Sequence, residues 1–579
     1  MTGSMCPGRN PAAAGRFGLR RDRAVILLFA GLLFSGPVRA QTQFLEPPQP
    51  GQERVPSAPV SKPGIDFQIE APRRTPVPRA SEDLVFDVID IVIDGSTVYP
   101  AAELREFVAP LIGKPGKLAD LLGASERIEK KYHDDGYVLT RVYLPHQSVE
   151  NGRFRIEVAE GYVAGVSVDG GDEGVRQWVE RSLAPVLASK PLRIAVLEDA
   201  LLAANEAPGV SVSGLLRPSA TEAKASDLVV SVNAPLYTGS VAFDNRGSAN
   251  TGIWTGSGNL AVRSPFDDGG QFQLSYSSAM DLNERRAAQA RYALPSPIGP
   301  EGLLLSLGGL MSHGEPAGSV KSLKMISDST SIGPRATYPL LRGRQEKLSL
   351  DGGLTVQASD VHIFGTTPLS HEEWRTLDIG LLYQNTHFLW GSADGTAVFA
   401  HGLPAFGATP PRNTSRPGSV SDFRKLSGTV HTVQPLSGGL SLSVQGQWQY
   451  SPSMLLVGEQ VSFGGPSIGR GYDAAAVTGD NGVGGAMELR YDLAPGDFYL
   501  NDLGADTTQL YTFYDTGEVW LNNQEAAVTT INSVGAGMRL TVFQNFSINV
   551  EVAKSLTPAP SSDEGRRSLR GFFNGSVRF

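Results

Sequence analysis

The stretch Leu440-Ser441-Leu442-Ser443-Val444-Gln445-Gly446-Gln447-Trp448-Gln449-Tyr450 alternates between apolar and polar side chains. Leu440, Leu442, Val444, Trp448 and Tyr450 fall on one face, and Ser441, Ser443, Gln445, Gln447 and Gln449 on the other. That two-residue period belongs to a β-strand. The pattern recurs. Phe272, Leu274 and Tyr276 alternate with Gln271, Gln273 and Ser275, and Val534, Ala536, Met538, Leu540 and Val542 form another apolar row. Phe546, Ile548, Val550 and Val552 alternate with Asn545, Ser547, Asn549 and Glu551. A soluble sandwich alternates too, but its strands are commonly about 5–6 residues long, whereas these run near about 10. The second face stays polar throughout, as in a water-filled lumen. Aromatics such as Trp448 and Tyr450 lie near strand ends, as in an interfacial girdle. A transmembrane β barrel is therefore expected over residues 236–579. Sixteen antiparallel strands of about 10 residues fit that length, and twelve to eighteen fit it as well.

The whole chain of 579 residues carries a net charge of −9, which argues against a nucleic-acid binder, since phosphate contacts need clustered Lys and Arg. Its single cysteine, Cys6, excludes a disulfide framework and a cysteine-based metal site. Mean hydropathy of −0.12 excludes a polytopic helical membrane protein but not a barrel, whose alternating strands average to mild hydropathy. Arg20, Arg21 and Arg23 precede an apolar run from Ala24 to Phe34, and Val38-Arg39-Ala40 resembles a cleavage site. Residues 1–40 thus read as a signal peptide, and cleavage after Ala40 would remove Cys6. Nine prolines between Pro47 and Pro78 mark residues 41–80 as a proline-rich, extended linker.

Between linker and barrel, a β-α-α-β-β order occurs twice. Phe86–Ile93 reads as one strand, closed by the Asp94-Gly95 turn. Pro100 opens a helix with Leu104, Phe107, Val108 and Leu111 on one face, and Leu118–His133 reads as a second helix. Strands follow at Leu139–Leu144 and Arg153–Ala159, joined through Asn151-Gly152. The second copy runs from a strand at Val163–Val168 through helices at Val175–Leu187 and Leu192–Asn205 to strands at Val210–Leu216 and Asp227–Val232. The repeat, with Asp135-Gly136-Tyr137 and Pro208-Gly209-Val210 at its turns, resembles a pair of polypeptide-transport-associated (POTRA) domains, over 84–160 and 161–235. Small sheets of this kind keep an edge strand able to accept an extended peptide.

Phe463-Gly464-Gly465-Pro466-Ser467-Ile468-Gly469-Arg470-Gly471-Tyr472 precedes Gly479-Asp480-Asn481-Gly482, and Tyr511-Thr512-Phe513-Tyr514-Asp515-Thr516-Gly517 follows. These resemble two signatures of the Omp85 superfamily, an Arg-Gly-Tyr loop tip folded into the barrel and a Phe-x-Asp-x-Gly strand. The glycine-rich lead-in, Gly479-Asp480-Asn481-Gly482 and Asp244-Asn245-Arg246-Gly247 are similar to the two-partner secretion branch, the TpsB transporters (ShlB/FhaC/HecB-like). Gly469 departs from that pattern, where valine is usual, and is expected to make the tip more flexible. The residues themselves explain the motif. Phe513, Asp515 and Gly517 share one strand face, and a carboxylate facing lipid is unfavourable, so that face should line the lumen. Arg470 then meets Asp515 as a bidentate pair, with Glu488 as a second candidate partner. Gly471 is expected to allow a tight turn, Tyr472 to pack the tip, and Gly517 to leave room for the loop.

Counting back from Phe579, residues Val577, Gly575 and Phe573 share its face, and this terminal strand resembles the signal read by barrel assembly machinery. The resemblance implies a translocator in the outer membrane, with POTRA domains in the periplasm that capture an unfolded TpsA-type exoprotein, a hemolysin- or adhesin-like cargo. Periplasmic chaperones, the assembly machinery and outer-membrane lipid are the other partners implied. No nucleic acid, cofactor or metal is expected. The alternative within the superfamily is an assembly factor that inserts other barrels, BamA- or TamA-like. Enzyme signals are weak. Gly465-Pro466-Ser467-Ile468-Gly469 matches a nucleophile elbow but lies in a glycine-rich loop, and His371-Glu372-Glu373 lacks the second histidine of a zincin.

Overall fold

The computed structural model describes residues 66–70, 85–147, 152–222, 224–248, 250–266, 269–316, 318–410, 414–493, 505–522, 528–558 and 568–579. The signal peptide expected at 1–40 lies outside them, as does most of the linker expected at 41–80. Within that linker, Asp66–Ile69 forms a strand, β1, where the sequence reading had only a spacer. Its Asp-Phe-Gln-Ile alternates and contains no proline, so its N–H groups are free to pair.

The first module holds β2 (Val85–Val88), β3 (Asp90–Asp94), α1 (Ala101–Arg105), β4 (Lys114–Lys117), α2 (Leu118–Asp134), β5 (Arg141–Tyr143) and β6 (Arg153–Ala159). The strand expected over Phe86–Ile93 is broken at Ile89. β2 pairs antiparallel with β4, whereas β3 pairs parallel with β6, whose other edge takes β5. Residues before and after the break thus serve two small sheets. β4, a Lys-Pro-Gly-Lys strand, has no strand-like composition and was not expected. α2 begins where Asp120 Oδ2 accepts the Lys117 N–H at 2.9 Å and ends before Gly136 at φ +92°. Its Leu121, Ala124, Ile128 and Tyr132 pack on Val88, Ile91, Phe154 and Ile156.

The second module holds β7 (Tyr162–Asp169), α3 (Glu173–Ala188), α4 (Ile194–Ala204), β8 (Ser211–Pro218) and β9 (Ala225–Asn233). The Asp172 carboxylate caps α3 by accepting the Val175 N–H at 2.9 Å. Val175, Trp178, Val179, Leu183 and Val186 then form its buried stripe at helical spacing. The sheet order is β1-β8-β9-β7, and β1 lies parallel to β8 with Phe67 packed on the core.

Among the described residues, sixteen strands close into a barrel, from Tyr237–Asp244 to Leu569–Arg578. All neighbouring pairs are antiparallel, and the last strand returns to the first over Ser240↔Arg578 to Asp244↔Asn574. Phe579 and Gly239 extend this seam by exchanging backbone hydrogen bonds of 2.8 and 3.0 Å. Strands reach 22 residues at Thr367–Phe388, twice the expected length, and project beyond an apolar band about 25 Å tall. The apolar rows face outward: Val241, Leu274, Leu377, Ile379, Met487, Val550 and Val577 are all exposed. In a barrel those positions meet lipid, and the alternate positions line the lumen. No described helix is long and apolar enough to cross a membrane.

Candidate functional site

The connection between strands Leu440–Tyr450 and Asn481–Leu493 spans residues 451–480 and folds inward. Val461–Phe463 and Val477–Gly479 form a short hairpin, and residues 464–473 form the tip. Gly464, Gly465 and Gly469 take φ values of +116°, +97° and +85°, which L side chains rarely adopt. Gly469 thus holds a conformation that favours glycine, and a Cβ there would also lie 2.5 Å from Ile531. Val461, Phe463, Ile468, Tyr472 and Val477 of the loop bury against Ala486, Val519 and Ile531 of the wall.

Arg470 is 5% exposed and Asp515 fully buried. The Arg470 backbone N–H donates to Asp515 Oδ2 at 2.9 Å, its Nε donates to the same oxygen at 3.1 Å, and its Nη2 donates to Oδ1 at 2.8 Å. That is the bidentate fork expected for Arg and carboxylate, with a main-chain bond added. Arg470 Nη1 donates to Glu488 Oε2 at 2.7 Å, and the guanidinium lies 3.4 Å from the centre of the Phe513 ring. Arg470, Asp515, Glu488 and Phe513 are thus brought together on the lumen side.

The glycines make room for close contacts between loop and wall. Gly471 has no positive φ; its lack of a side chain instead lets the tip touch the wall, where a Cβ would sit 2.8 Å from the Ser555 nitrogen. Gly517 faces Phe463, whose Cγ would lie 2.9 Å from an added Cβ, and Gly482 and Gly484 line the same slot. The Tyr472 hydroxyl lies 2.8 Å from the Asn532 and Thr557 carbonyls and accepts the Thr557 N–H at 3.1 Å. Phe579 is remote from this site, with its ring over Gly239 at the outer face of the seam.

Sequence reasoning missed several participants. Arg539 donates to Glu488 at 2.7 and 3.1 Å, and Arg490 Nε donates to it at 2.6 Å. Ser533 Oγ donates to Asp515 at 3.1 Å. Glu551 takes Arg246, of the Asp244-Asn245-Arg246-Gly247 stretch, at 2.7 Å and the Tyr511 hydroxyl at 2.8 Å. Period two places Arg539, Ser533 and Glu551 on the lumen face, but only cross-strand register brings them to one height. Ser467 of the elbow-like pattern lies among bends with no helix after it, and its carbonyl accepts from Gln445 Nε2 at 2.9 Å. His371 sits on a strand, 2.6 Å from Asp360.

A family model described as haemolysin secretion/activation protein ShlB/FhaC/HecB matches residues 225–540, more than half of the chain. The chain belongs to this family. A model of the POTRA domain, ShlB-type, matches residues 86–161, so the first module is a POTRA domain. The outer membrane transporter CdiB of Escherichia coli O6:K15:H31 is 26% identical over 459 residues, covering 78% of this chain and 75% of its own. The solved structure of CdiB from Escherichia coli superposes with a TM-score of 0.65 at 23% identity, over 87% of this chain and 93% of the other. BamA from Haemophilus ducreyi, lacking POTRA domains 1–3, is more distant, with a TM-score of 0.51 at 13% identity over 85% and 100%. This ShlB/FhaC/HecB member is an outer-membrane transporter of the two-partner secretion type, with its POTRA end in the periplasm.

Proposed function

We propose that the chain exports one TpsA-type exoprotein, unfolded, from periplasm to cell surface through its lumen, and that the Arg470 tip sets the width of that passage. The observation that carries the reading is a loop reaching into the lumen on a buried, fully paired arginine. A merely solvated loop arginine would need no such partners. The second module, with the same helix-pair-on-sheet plan as the first, acts as a further POTRA unit. The modules receive the cargo at the periplasmic mouth, chaperones keep it unfolded, and folding outside biases its motion outward, since the sequence holds no P-loop for nucleotide-driven transport. Family members are transporters, and the chain acts without catalysis.

The test compares secreted and outer-membrane proteins of the native bacterium with and without this gene. Loss of one large secreted protein, with other barrels unchanged, is expected. A broad fall in outer-membrane barrels would instead mean an assembly factor. Arg470→Ala is expected to abolish secretion while barrel assembly continues, and normal export by that variant would end the gating role.

A further inference from the structure

The Gly479-Asp480-Asn481-Gly482 stretch takes no part in the Arg470 contacts, yet Asp480 is fully buried. Its carboxylate accepts five donors. Arg416 grips it with both Nη atoms, with Nη2 at 2.9 Å. Leu455 N–H donates at 2.9 Å, Gln460 Nε2 at 3.3 Å and Asn522 N–H at 2.8 Å. With the POTRA end periplasmic, the first strand runs outward, and these donors come from three separate extracellular segments: Thr414–Phe423, residues 451–460, and the turn after strand Ala505–Trp520. Asn522 further joins them by donating to the Ser451 and Ser453 carbonyls at 2.9 and 2.7 Å. Beneath this hub, Phe423, Leu455 and Leu456 bury against Trp374 of the wall. Glu459, one turn on, accepts from Trp374 Nε1 at 2.7 Å and Gln357 Nε2 at 3.0 Å and pairs with Lys425 at 2.6 Å. All three partners are lumen-facing, so the covered part of the outer mouth lies over the strands that the Arg470 tip does not touch.

The geometry points to a second closure: Asp480 is the hub of an outer lid, and Arg416 is the positioning residue that keeps Thr414–Phe423 folded inward. Leu455, Gln460 and Asn522 lie on segments adjoining Asp480 in the barrel order. Arg416 alone among the donors comes from a connection farther round the rim, between strands Gly391–Gly402 and Arg424–Pro435. Losing Arg416 therefore leaves that segment on its Ser415 N–H bond to Glu372 at 2.8 Å, its Val420 N–H bond to the Met454 carbonyl at 3.1 Å and the burial of Phe423, and leaves the Asp480 carboxylate with three donors. Its side chain is only 12% exposed and also donates to the Leu455 carbonyl at 3.0 Å, so it joins two of the segments directly. That opening the lid assists export rests on the transporter reading; the existence of the lid does not.

Ser419 reports the lid directly, because it is fully buried and its hydroxyl donates to the Arg416 carbonyl at 2.8 Å. The chain has one other cysteine, Cys6. The full chain carrying Ser419→Cys is labelled on whole cells with a membrane-impermeant maleimide, without cargo. Labelling is expected to be slow, to rise at least about tenfold with Arg416→Gln or Asp480→Asn, and to stay slow with Arg470→Ala. Equal rates in folded barrels with and without Arg416→Gln would overturn the proposal, as would fast labelling in the Arg470→Ala chain, which would make the two closures one. Heat-modifiable migration on gels identifies folded barrels. Arg416→Gln carries the test if Asp480→Asn does not fold. In cells that also supply the cargo, an Arg416→Gln chain that labels fast but exports as the parent does would leave the lid standing and remove its role in export.

Discussion

Gly517 determines where Phe463 sits, and Phe463 orients the hairpin that carries Arg470. The constraint is steric, because Gly517 has ordinary strand φ and any side chain would collide with the ring. Gly517→Leu is expected to destabilise loop seating by about 1–3 kcal/mol, the usual scale of overpacking. Adding Phe463→Ala should recover part of it, read as thermal loss of the heat-modifiable band. Full additivity of the two changes would refute the contact. Asp515→Ala leaves Arg470 buried with Glu488 at 2.7 Å and Glu551 at 3.8 Å as its remaining carboxylates and should cost about 3 kcal/mol, the low end of the scale for breaking a buried pair. Equal melting of variant and parent in detergent would contradict this. Arg470, Asp515 and Glu488 were legible in the sequence because a loop motif and a strand motif each carry one sign of charge on a face fixed by period two. The role of Gly471 was not legible. A glycine needed for close approach and one needed for a left-handed turn look alike until the neighbouring strand is in place.

At the scale of elements, helices with apolar stripes and long alternating strands were readable, and short edge strands were not. β4 and β1 have four residues each, held by pairing rather than by composition. The break at Ile89 has no sequence signal either, since both halves of Phe86–Ile93 alternate. In the first module Glu160 ties the β3–α1 connection to β6. Its carboxylate accepts from the Thr97 and Val98 N–H groups at 2.8 and 3.0 Å and from the Tyr132 hydroxyl at 2.8 Å. Burial works against its charge, but these hydrogen bonds outweigh it and hold the carboxyl below the ordinary glutamate range. The stabilisation is thus present above the unfolded glutamate value of about 4.3 and is lost as pH falls through the lower folded value. Amide exchange at Thr97 and Val98 should accelerate on acidification below about pH 4, and Glu160→Gln should remove that step. A pH-independent profile in the parent chain would refute the tie.

The whole molecule adds contacts between modules that no motif announces. α4 and the residues after it meet the barrel turn that follows strand Ile326–Arg342. Arg342 pairs with Asp199 at 3.2 Å, Arg344 with Glu198 at 3.3 Å and Lys347 with Glu206 at 2.8 Å. Arg263 donates to the Gly209 carbonyl at 3.0 Å, so the Pro208-Gly209-Val210 turn also faces the barrel. The two exposed partners, Asp199 and Arg344, lie in pairs worth about 0.2–1 kcal/mol each, whereas Glu206 is nearly buried. Lys347→Glu should therefore loosen the second module more than Arg344→Glu, read as faster amide exchange in α4 at low salt. Equal effects would show that burial does not rank the pairs. Strand number could not be fixed from length alone, because the 8-residue and 22-residue strands average to a value that several barrels share. The paired Arg470 tip also bears on the idle cell. Its main-chain bond and fork to Asp515 and its bond to Glu488 all sit on one residue, so they are lost together when the tip leaves the wall. On the proposed gating role, copies waiting for cargo would stay narrow, and the outer membrane would keep its permeability barrier between export events.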